Sequence, residues 1–251
     1  MSVQVNIERF FVGSVQSPLI EGCSLNLDEA DVVALVGPSG AGKTTLLRMI
    51  AGLETNYSGS IMVGNQPVVG PRRAVQLVFQ ERRLLPWRTV RGNVELALAP
   101  QTSAHDRKRV VDEALESVGV LDLADRWPKN LSGGEQTRTA LARALVGAPS
   151  VLLLDEPFAD VDVATKVQLQ KVIDRLREDR GVTILLTSHD VHDAVYFSDV
   201  VHVVSRRPLR VHSTHIVEAV RPRQIGDPEL LRLEESIRTE VLEHGAPLAV
   251  A

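Results

Sequence analysis

The sequence predicts an α/β fold built around a parallel sheet. Four short apolar runs, each bounded by glycine, proline or charge, have the length and composition of strands buried on both faces. These runs are Val32–Val36, Ala74–Phe79, Val151–Leu154 and Thr183–Thr187. Because the first, third and fourth runs each lead into a helical pattern, we expect ligand-binding loops at the carboxyl ends of these strands.

The middle of the chain lacks strand patterns, and helix signals are found both there and in the C-terminal part. Asp162 is placed to cap one helix, which Gly181 ends, and Asp227-Pro-Glu marks the start of a final helix. From about Arg91 to Leu145 the strand patterns disappear and apolar residues recur at helical spacing. We interpret residues 91–144 as a helical insertion on an α/β core formed by residues 1–90 and 145–251. Core and insertion together form one domain that spans residues 1–251.

Composition limits the classes of function. The 251 residues carry a formal net charge of -4, which gives no bulk electrostatic reason to bind nucleic acid. Cys23 is the single cysteine, so neither an internal disulfide nor a cysteine-based metal cluster can form. The start does not resemble a signal peptide, and no apolar run approaches the roughly 20 residues of a membrane span. We expect a soluble chain whose membrane role, if any, comes through partner chains.

The segment after the first strand has the pattern of a phosphate-binding loop, with glycines followed by Lys43 and Thr44. Its glycines let backbone amides wrap phosphates, and the following helix N-terminus adds partial positive charge. Lys43 is predicted to neutralise the β- and γ-phosphates, and Thr44 to place its hydroxyl on Mg²⁺. The alternative is an ordinary glycine-rich turn before a helix. The predicted phosphate-contacting residues are Gly37, Pro38, Ser39, Gly40, Ala41, Gly42, Lys43, Thr44 and Thr45.

Two adjacent acids, Asp155 and Glu156, close the third apolar run. A carboxylate at the end of a buried strand is costly unless a positive charge meets it. We expect Asp155 to hold Mg²⁺ across from Thr44, and Glu156 to accept a proton from an attacking water. The alternative is a strand followed by a solvated acidic turn.

A serine, two glycines and an acid, Leu131-Ser-Gly-Gly-Glu135, precede a helical pattern at Thr137–Leu145. Such a segment presents amides and a hydroxyl to an anion at a helix N-terminus. The same residues also fit a capping box, with Ser132 as the cap and Glu135 completing it. Residue pattern alone leaves both interpretations open.

Taken together, these motifs resemble the nucleotide-binding subunits of ATP-binding cassette (ABC) proteins over nearly the whole chain. The matching positions, in order, are Gly37–Thr44, Gln80, Leu131–Glu135, Asp155, Glu156, Asp162 and His189. The resemblance implies a phosphate-loop NTPase (RecA-like) core with an N-terminal antiparallel β subdomain and an inserted α-helical subdomain. It also implies ATP hydrolysis with ATP and Mg²⁺ as cofactors.

The resemblance further implies a dimer in which two cassettes enclose two ATP molecules. Ser132, Gly133, Gly134 and Glu135 of one subunit would then face the γ-phosphate held by the other, with Asp162 at the seam. Gln80 would reach the Mg²⁺ and the attacking water, His189 the γ-phosphate, and Phe11 the adenine. A capping or core histidine is the alternative for His189, and a core phenylalanine for Phe11. The sequence departs from the family's pattern at Asp160 and Thr137 without losing a catalytic group.

The loop after Gln80 favours a transporter. Leu84, Leu85 and Trp87 lie in a proline-interrupted, arginine-rich segment that suits docking of a partner helix. The alternative is a tryptophan packed on its own domain. The segment also resembles the Leu-Leu-Pro-Trp loop of the nitrate, taurine and aliphatic-sulfonate importer subfamily, which includes pyrimidine-precursor importers. That resemblance implies permease chains docking near Gln80–Arg91, a substrate-binding protein, and a peripheral place on the cytoplasmic face of the cell membrane. An iron–sulfur cluster assembly ATPase is the alternative function.

Overall fold

Two sheets and the helices on them organise the chain in this computed structural model, which describes residues 1–13, 16–100, 102–159, 161–224 and 226–245. The strands are β1 (Val3–Phe10), β2 (Ile20–Leu27), β3 (Val32–Val36), β4 (Ser58–Val63), β5 (Gln66–Pro67), β6 (Val75–Val78), β7 (Val151–Asp155), β8 (Thr183–Ser188), β9 (Val200–Val204) and β10 (Val211–Ile216). The helices are α1 (Lys43–Ile50), α2 (Val90–Glu95), α3 (Ala104–Ser117), α4 (Gly133–Leu145), α5 (Val163–Arg180), α6 (Val191–Phe197) and α7 (Pro228–Gly245).

The larger sheet has the strand order β10-β9-β3-β8-β7-β6, and only β10 runs antiparallel to its neighbour. Its β3, β6, β7 and β8 confirm the four strands that the sequence predicts, within one residue at their ends. Val36 pairs with Ser188, and Asp155 pairs with Thr187. The carboxyl ends of β3, β7 and β8 therefore meet at one edge of the sheet.

The central strands are buried on both faces because successive side chains point into different cores. In β7, Leu152 and Leu154 pack among the helices, whereas Val151 and Leu153 pack toward the second sheet. Strands β3 and β8 divide their side chains between the same two cores. This double burial is the reason for their continuous apolar sequence.

The second sheet is antiparallel, with the order β2-β1-β4-β5. Together with α1 it covers one face of the parallel sheet, where the alternating apolar residues of β1 and β2 are buried. A backbone contact joins the two sheets near the nucleotide motifs, since the Leu209 N–H donates to the Leu19 carbonyl at 2.8 Å. The N-terminal antiparallel unit implied by the family resemblance is thus present.

Helices α2, α3 and α4 lie between β6 and β7, and the described part of residues 91–144 contains no strand. The predicted apolar stripe of α3 is confirmed, because Val111, Ala114 and Leu115 are buried. Helix α4 begins at Gly133, four residues before the predicted start at Thr137. The earlier start follows from Ser132, which caps the helix and so brings both glycines into its first turn.

The two long helices near the C-terminus begin where their capping signals predict. The Thr165 N–H donates to Asp162 Oδ1 at 3.0 Å at the start of α5, and Gly181 ends that helix at φ 60°. Helix α7 follows Asp227 and buries Leu230 and Ile237 against the helical core. Across the described residues, no helix is both long enough and apolar enough to cross a bilayer.

Candidate active site

The loop between β3 and α1 is shaped by three glycines with different tasks. Gly40 and Gly42 have φ of 75° and 110°, a region of backbone conformation that other residues adopt at a cost. Gly37 has an ordinary φ, but a Cβ there would lie 2.6 Å from the Val204 carbonyl oxygen. The first glycine is therefore required by close packing on β9, and the other two by the turn itself.

Lys43 carries a buried cation at the centre of this loop. Its side chain is only 6% exposed, and Nζ donates to the carbonyls of Gly37 at 2.6 Å and Pro38 at 3.2 Å. Burial lowers the pKa of Lys43, while the carboxylates of Glu156 and Asp155 oppose that shift. The loop and two acids thus hold one ammonium group where phosphate oxygens are predicted to bind.

Asp155 is buried at the end of β7 and accepts two hydrogen bonds. Thr44 Oγ1 donates to its Oδ1 at 3.0 Å, and Thr187 Oγ1 donates to the same atom at 2.9 Å. Burial raises the pKa of Asp155, and the two hydroxyl hydrogen bonds counteract that rise. Asp155 and Thr44 are thus in direct contact, which joins the end of β7 to the start of α1. That they hold Mg²⁺ between them stays a prediction.

The oxygen donors at this position fit a magnesium ion. The Thr44 hydroxyl and the Asp155 carboxylate are in contact, and Gln80 lines the same cavity as Thr44. Hydroxyl, carboxylate and amide oxygens, completed by water and phosphate, are the ligands that Mg²⁺ takes in nucleotide sites. Among the described residues no group of three or more His, Cys, Asp or Glu side chains forms a metal cage.

Glu156 lies between the Lys43 cation and an imidazole. Its Oε1 is 3.7 Å from Lys43 Nζ, and its Oε2 is 2.6 Å from His189 Nδ1. The backbone of Glu156 has φ of 48°, which is uncommon for a residue with a side chain. Its N–H donates to Thr187 Oγ1 at 3.0 Å, which helps to hold this conformation. The strained backbone turns Glu156 away from Asp155 and toward the cavity.

These residues line a cavity of about 270 Å³ at the carboxyl edge of the parallel sheet. The lining residues are Leu19, Ser39, Gly40, Ala41, Gly42, Lys43, Thr44, Thr45, Gln80, Glu156 and Arg207. Gly37 and Pro38 lie behind Lys43 and hold it through their carbonyls. The structure thus brings the predicted phosphate loop, Gln80 and Glu156 to one cavity, with His189 in contact with Glu156.

Two lining residues, Leu19 and Arg207, were not predicted. Arg207 Nε donates to the Gly40 carbonyl at 3.4 Å, although the two residues are 167 positions apart in the chain. The loop between β9 and β10 carries no pattern that signals such a contact. Its position depends on the pairing of Leu209 with Leu19, which only the folded chain brings together.

Phe10 and Phe11 separate into a core residue and a surface residue. Phe10 is buried with 7% exposure, whereas Phe11 is 46% exposed. Phe11 is therefore the aromatic ring accessible to a base, although it is not among the residues that line the described cavity. Its stacking on adenine stays a prediction.

The segment Ser132–Glu135 lies apart from this cavity and forms the predicted capping box. Ser132 Oγ accepts from the Glu135 N–H at 3.3 Å, and Glu135 Oε2 accepts from the Ser132 N–H at 2.7 Å. The hydrogen bond from the Ser132 backbone lowers the pKa of Glu135. None of these four residues lines the phosphate-loop cavity.

The seam motif is only partly described. Asp162 lines a second cavity of about 320 Å³ together with Glu156 and His189. Asp160, where the sequence departs from the family's pattern, lies outside the described residues. Thr137, the other departure, accepts a hydrogen bond from Arg82 Nε at 3.0 Å. Thr137 thus ties α4 to the loop that follows Gln80.

Comparison with known proteins decides the family. The family model described as "ABC transporter" matches residues 20–159, which include the phosphate loop, the capping-box segment, Asp155 and Glu156. The chain belongs to the ABC transporter family. Its fold class and its phosphate-loop site agree with that membership.

Relatives and solved structures extend the match over most of the chain. The chain is 42% identical to an aliphatic sulfonates import ATP-binding protein SsuB of Pseudomonas putida, covering 90% of this chain and 82% of that protein. It is 34% identical to the SsuB of Bacillus licheniformis, covering 97% and 93%. Among ABC structures, the dimeric post-hydrolysis cassette MJ0796 bound to ADP and Pi has a TM-score of 0.76 at 25% identity, covering 88% and 100%. The cbiO1 protein of Clostridium perfringens, part of the ABC transporter complex cbiONQ, has a TM-score of 0.78 at 25% identity, covering 96% and 94%.

As an ABC transporter protein, the chain binds and hydrolyses ATP. The relatives and structures above are transporter proteins, and none supports the alternative of an iron–sulfur cluster assembly ATPase. Within the described structure, the cavity around Lys43 brings together the phosphate loop, Gln80 and Glu156.

Substitution Arg207→Ala is expected to weaken ATP binding, because it removes a second cation from the cavity. A partly solvated charge of this kind contributes about 1 kcal/mol, which corresponds to roughly a five-fold higher dissociation constant. Titration with a fluorescent ATP analogue measures the effect, with Lys43→Ala as the reference for a larger loss. Arg206→Ala is the control, since Arg206 is exposed and does not line the cavity. Equal affinity of the wild type and Arg207→Ala would remove Arg207 from the site.

Proposed function

We propose that the chain is the ATP-hydrolysing subunit of an importer for aliphatic sulfonates, working as a dimer beneath membrane-spanning permease chains. One observation carries the proposal. Lys43 and Glu156 line the phosphate-loop cavity and His189 contacts Glu156, while Ser132, Gly133 and Gly134 of the same chain do not line that cavity. A hydrolytic site of this family is therefore incomplete within one chain.

The residues of the cavity have separate tasks in hydrolysis. Lys43 neutralises the β- and γ-phosphates from its position among the loop carbonyls. Glu156 accepts the proton of the attacking water, and His189 orients the Glu156 carboxylate through the 2.6 Å contact. Gln80, exposed at the edge of the cavity, contacts that water. Thr44, Asp155 and Gln80 would hold Mg²⁺, which would neutralise part of the phosphate charge when bound.

A second copy completes the site. The exposed Ser132 hydroxyl and the first turn of α4 carry a serine, two glycines and the partial positive charge of a helix N-terminus. In a two-fold dimer these groups would contact the γ-phosphate held by the other copy. The capping box is compatible with this role, because it leaves the other amides of the first turn available. The MJ0796 cassette, to which the chain is similar, is described as dimeric.

The helical segment is proposed as a distinct subdomain. Residues 91–144 would form the subdomain that carries Ser132, Gly133 and Gly134, and residues 1–90 and 145–251 the nucleotide-binding core. In support, α2 packs on both α3 and α4. The loop after Gln80 joins the two parts, because Arg143 of α4 donates to the carbonyls of Arg82 at 3.0 Å and Arg83 at 2.8 Å.

The permease is proposed to dock beside Trp87. The Trp87 side chain is 68% exposed, which is contrary to a tryptophan packed on its own domain. Next to it lies a groove of about 280 Å³ between α2, α4 and β6, with Leu85, Leu96 and Ala97 among its lining residues. An exposed ring near a groove lined by aliphatic side chains together with Gln76 and Arg143 suits a short amphipathic partner helix. Leu84, in contrast, packs inward against the helical core.

A fully buried asparagine presents Trp87 at the surface. Asn93 Oδ1 accepts from the Leu85 N–H at 2.7 Å, and Asn93 Nδ2 donates to the carbonyls of Leu85 and Arg88 at 3.1 Å each. These bonds fix the backbone on both sides of Trp87. The docking loop is therefore held in shape by the chain itself before a partner binds.

Cargo and position in the cell follow from the relatives. The SsuB proteins of Pseudomonas putida and Bacillus licheniformis are named for import of aliphatic sulfonates. A substrate-binding protein and the permease chains would select that cargo, and this chain would supply the energy. The subunit would lie peripherally on the cytoplasmic face of the cell membrane and contact the binding protein only through the permease.

Mixing two inactive variants tests the shared site. Glu156→Gln removes the general base, which typically costs about 10²–10⁴-fold in rate, and Ser132→Arg blocks the segment that faces the other copy. In a mixed dimer, one site combines an intact Glu156 with an intact Ser132. About a quarter of wild-type ATPase activity should return, because half of the random dimers are mixed and each holds one intact site of two. ATPase assays of each variant and of the mixture measure this, and a mixture as inactive as its components would contradict it.

Trp87→Ala is expected to impair assembly with the permease while leaving ATP hydrolysis by the isolated subunit within about two-fold of wild type, since Trp87 lies outside the nucleotide cavity. Loss of a central interface aromatic typically costs about 2 kcal/mol or more, or roughly thirty-fold in affinity. Co-purification with co-expressed permease chains measures it. Val69→Ala, at another highly exposed position, is the control. Wild-type yields of the complex with Trp87→Ala would refute the docking site.

Cargo is tested in the assembled transporter in lipid vesicles. ATP hydrolysis should rise when the binding protein carries an aliphatic sulfonate. To reach the same stimulation, the concentration of nitrate should have to be at least about ten-fold higher. The isolated subunit should respond to neither compound, because the cargo-selecting contacts lie in other chains. Stimulation by nitrate at the lower concentration would reassign the cargo while leaving the ATPase site unaffected.

A further inference from the structure

A buried ion pair joins the first turns of α5 and α6. Lys166 Nζ donates to both carboxylate oxygens of Asp193, at 2.6 and 2.8 Å. The Asp193 side chain is buried, and burial raises its pKa while the Lys166 hydrogen bonds oppose that rise. A carboxylate in such a position requires its partner, because an uncompensated buried charge is strongly unfavourable.

Each end of this ion pair lies one turn from a loop of the active site. The Lys166 N–H donates to the carbonyl of Asp162, the seam residue that caps α5, at 3.0 Å. Asp193 lies in the first turn of α6, whose cap Asp190 directly follows His189. Lys166 and Asp193 also line the second cavity, which Glu156 and His189 share. The ion pair therefore fixes the distance between the seam loop and the loop that carries His189.

The Ser132–Gly134 turn also contacts the first turn of α5, next to Lys166. A Cβ built on Gly134 would lie 2.7 Å from two side-chain atoms of Thr165, so α4 touches the first turn of α5 where only glycine fits. Thr165 Oγ1 donates to Asp162 Oδ2 at 2.8 Å, next to Lys166. A continuous series of contacts thus runs from Gly134 through Thr165 and Lys166 to Asp193.

We propose that Lys166 and Asp193 are positioning residues for ATP hydrolysis. They hold His189 against Glu156 and keep both aligned with the Ser132–Gly134 turn, which faces the nucleotide of the other copy. The proposal rests on the dimeric ATPase function proposed above. Neither residue touches the phosphate-loop cavity, so neither contributes to ATP binding directly. Both act through the placement of α6 relative to α5, and their loss should affect the rate of hydrolysis rather than nucleotide affinity.

The experiment measures kcat, KM and the ATP dissociation constant of the full chain for Asp193→Asn, Lys166→Met and the double variant. Each single variant should lower kcat about ten-fold with KM and Kd within two-fold of wild type. The double variant should lose no more than either single variant, because all three lack the same contact. Asp193→Glu, which keeps the charge, should recover at least half of the activity. Lys108→Met is the matched control, since its 2.6 Å pair with Asp112 lies on α3.

Several outcomes would overturn the proposal. Wild-type kcat in Asp193→Asn, additive losses in the double variant, or an equal loss of kcat in Asp193→Glu would each do so. A lowered melting temperature with unchanged kcat at 20 °C would assign the pair a purely structural role. Lys166→Met covers the case in which Asp193→Asn does not fold. An inactive wild-type chain, or a failed recovery in the Glu156→Gln and Ser132→Arg mixture, would instead count against the proposed function.

Discussion

The carboxylate of Asp155 is the point on which the active site depends. It is buried at the end of a central strand and is held by hydroxyl groups from α1 and β8, through Thr44 and Thr187. These two bonds join three segments that are distant in sequence and fix the height of the phosphate loop relative to the sheet edge. A buried carboxylate would be unfavourable without them. Satisfying this one group therefore also positions the hydroxyl predicted to bind magnesium.

Glu156, the next residue, points toward the cavity, whereas the Asp155 carboxylate is enclosed. Glu156 leaves the strand through a left-handed backbone conformation and directs its side chain toward Lys43 and His189. Two adjacent acids thus have different environments, one enclosed by hydroxyls and one between a cation and an imidazole. That difference is the physical basis for giving the first a role in ion binding and the second a role in proton transfer. Thr187 serves both residues, as the donor to Asp155 and the acceptor for the Glu156 N–H.

The turn before α4 forms the capping box that its residue pattern predicts, and this arrangement is compatible with the proposed contact to the nucleotide of a second copy. Its capping box satisfies the helix start within the chain, and Gly134 allows α4 to approach Thr165. Packing therefore accounts for one of the two glycines without any ligand. Ser132 is exposed and Gly133 is half-buried, and these are the two residues of the turn that the proposed dimer would present to a second copy. In the proposed dimer, the motif would connect the inner packing of one subunit with the site of its neighbour.

Local signals in the sequence determined the four central strands, the caps of α5 and α7, and the phosphate loop, because burial on both faces and capping are recorded in neighbouring residues. The pairing of Asp155 with Thr44 was also predictable, since the carboxyl ends of parallel strands meet at one edge. The start of α4 was placed too late because its first turn consists of glycines, which look like a turn in sequence. Only the tertiary structure decided that Arg207 reaches the nucleotide cavity, that Trp87 is exposed while Leu84 is buried, and that Lys166 meets Asp193. Each of these depends on how separate elements pack against one another, and residue order along the chain does not encode that relation locally.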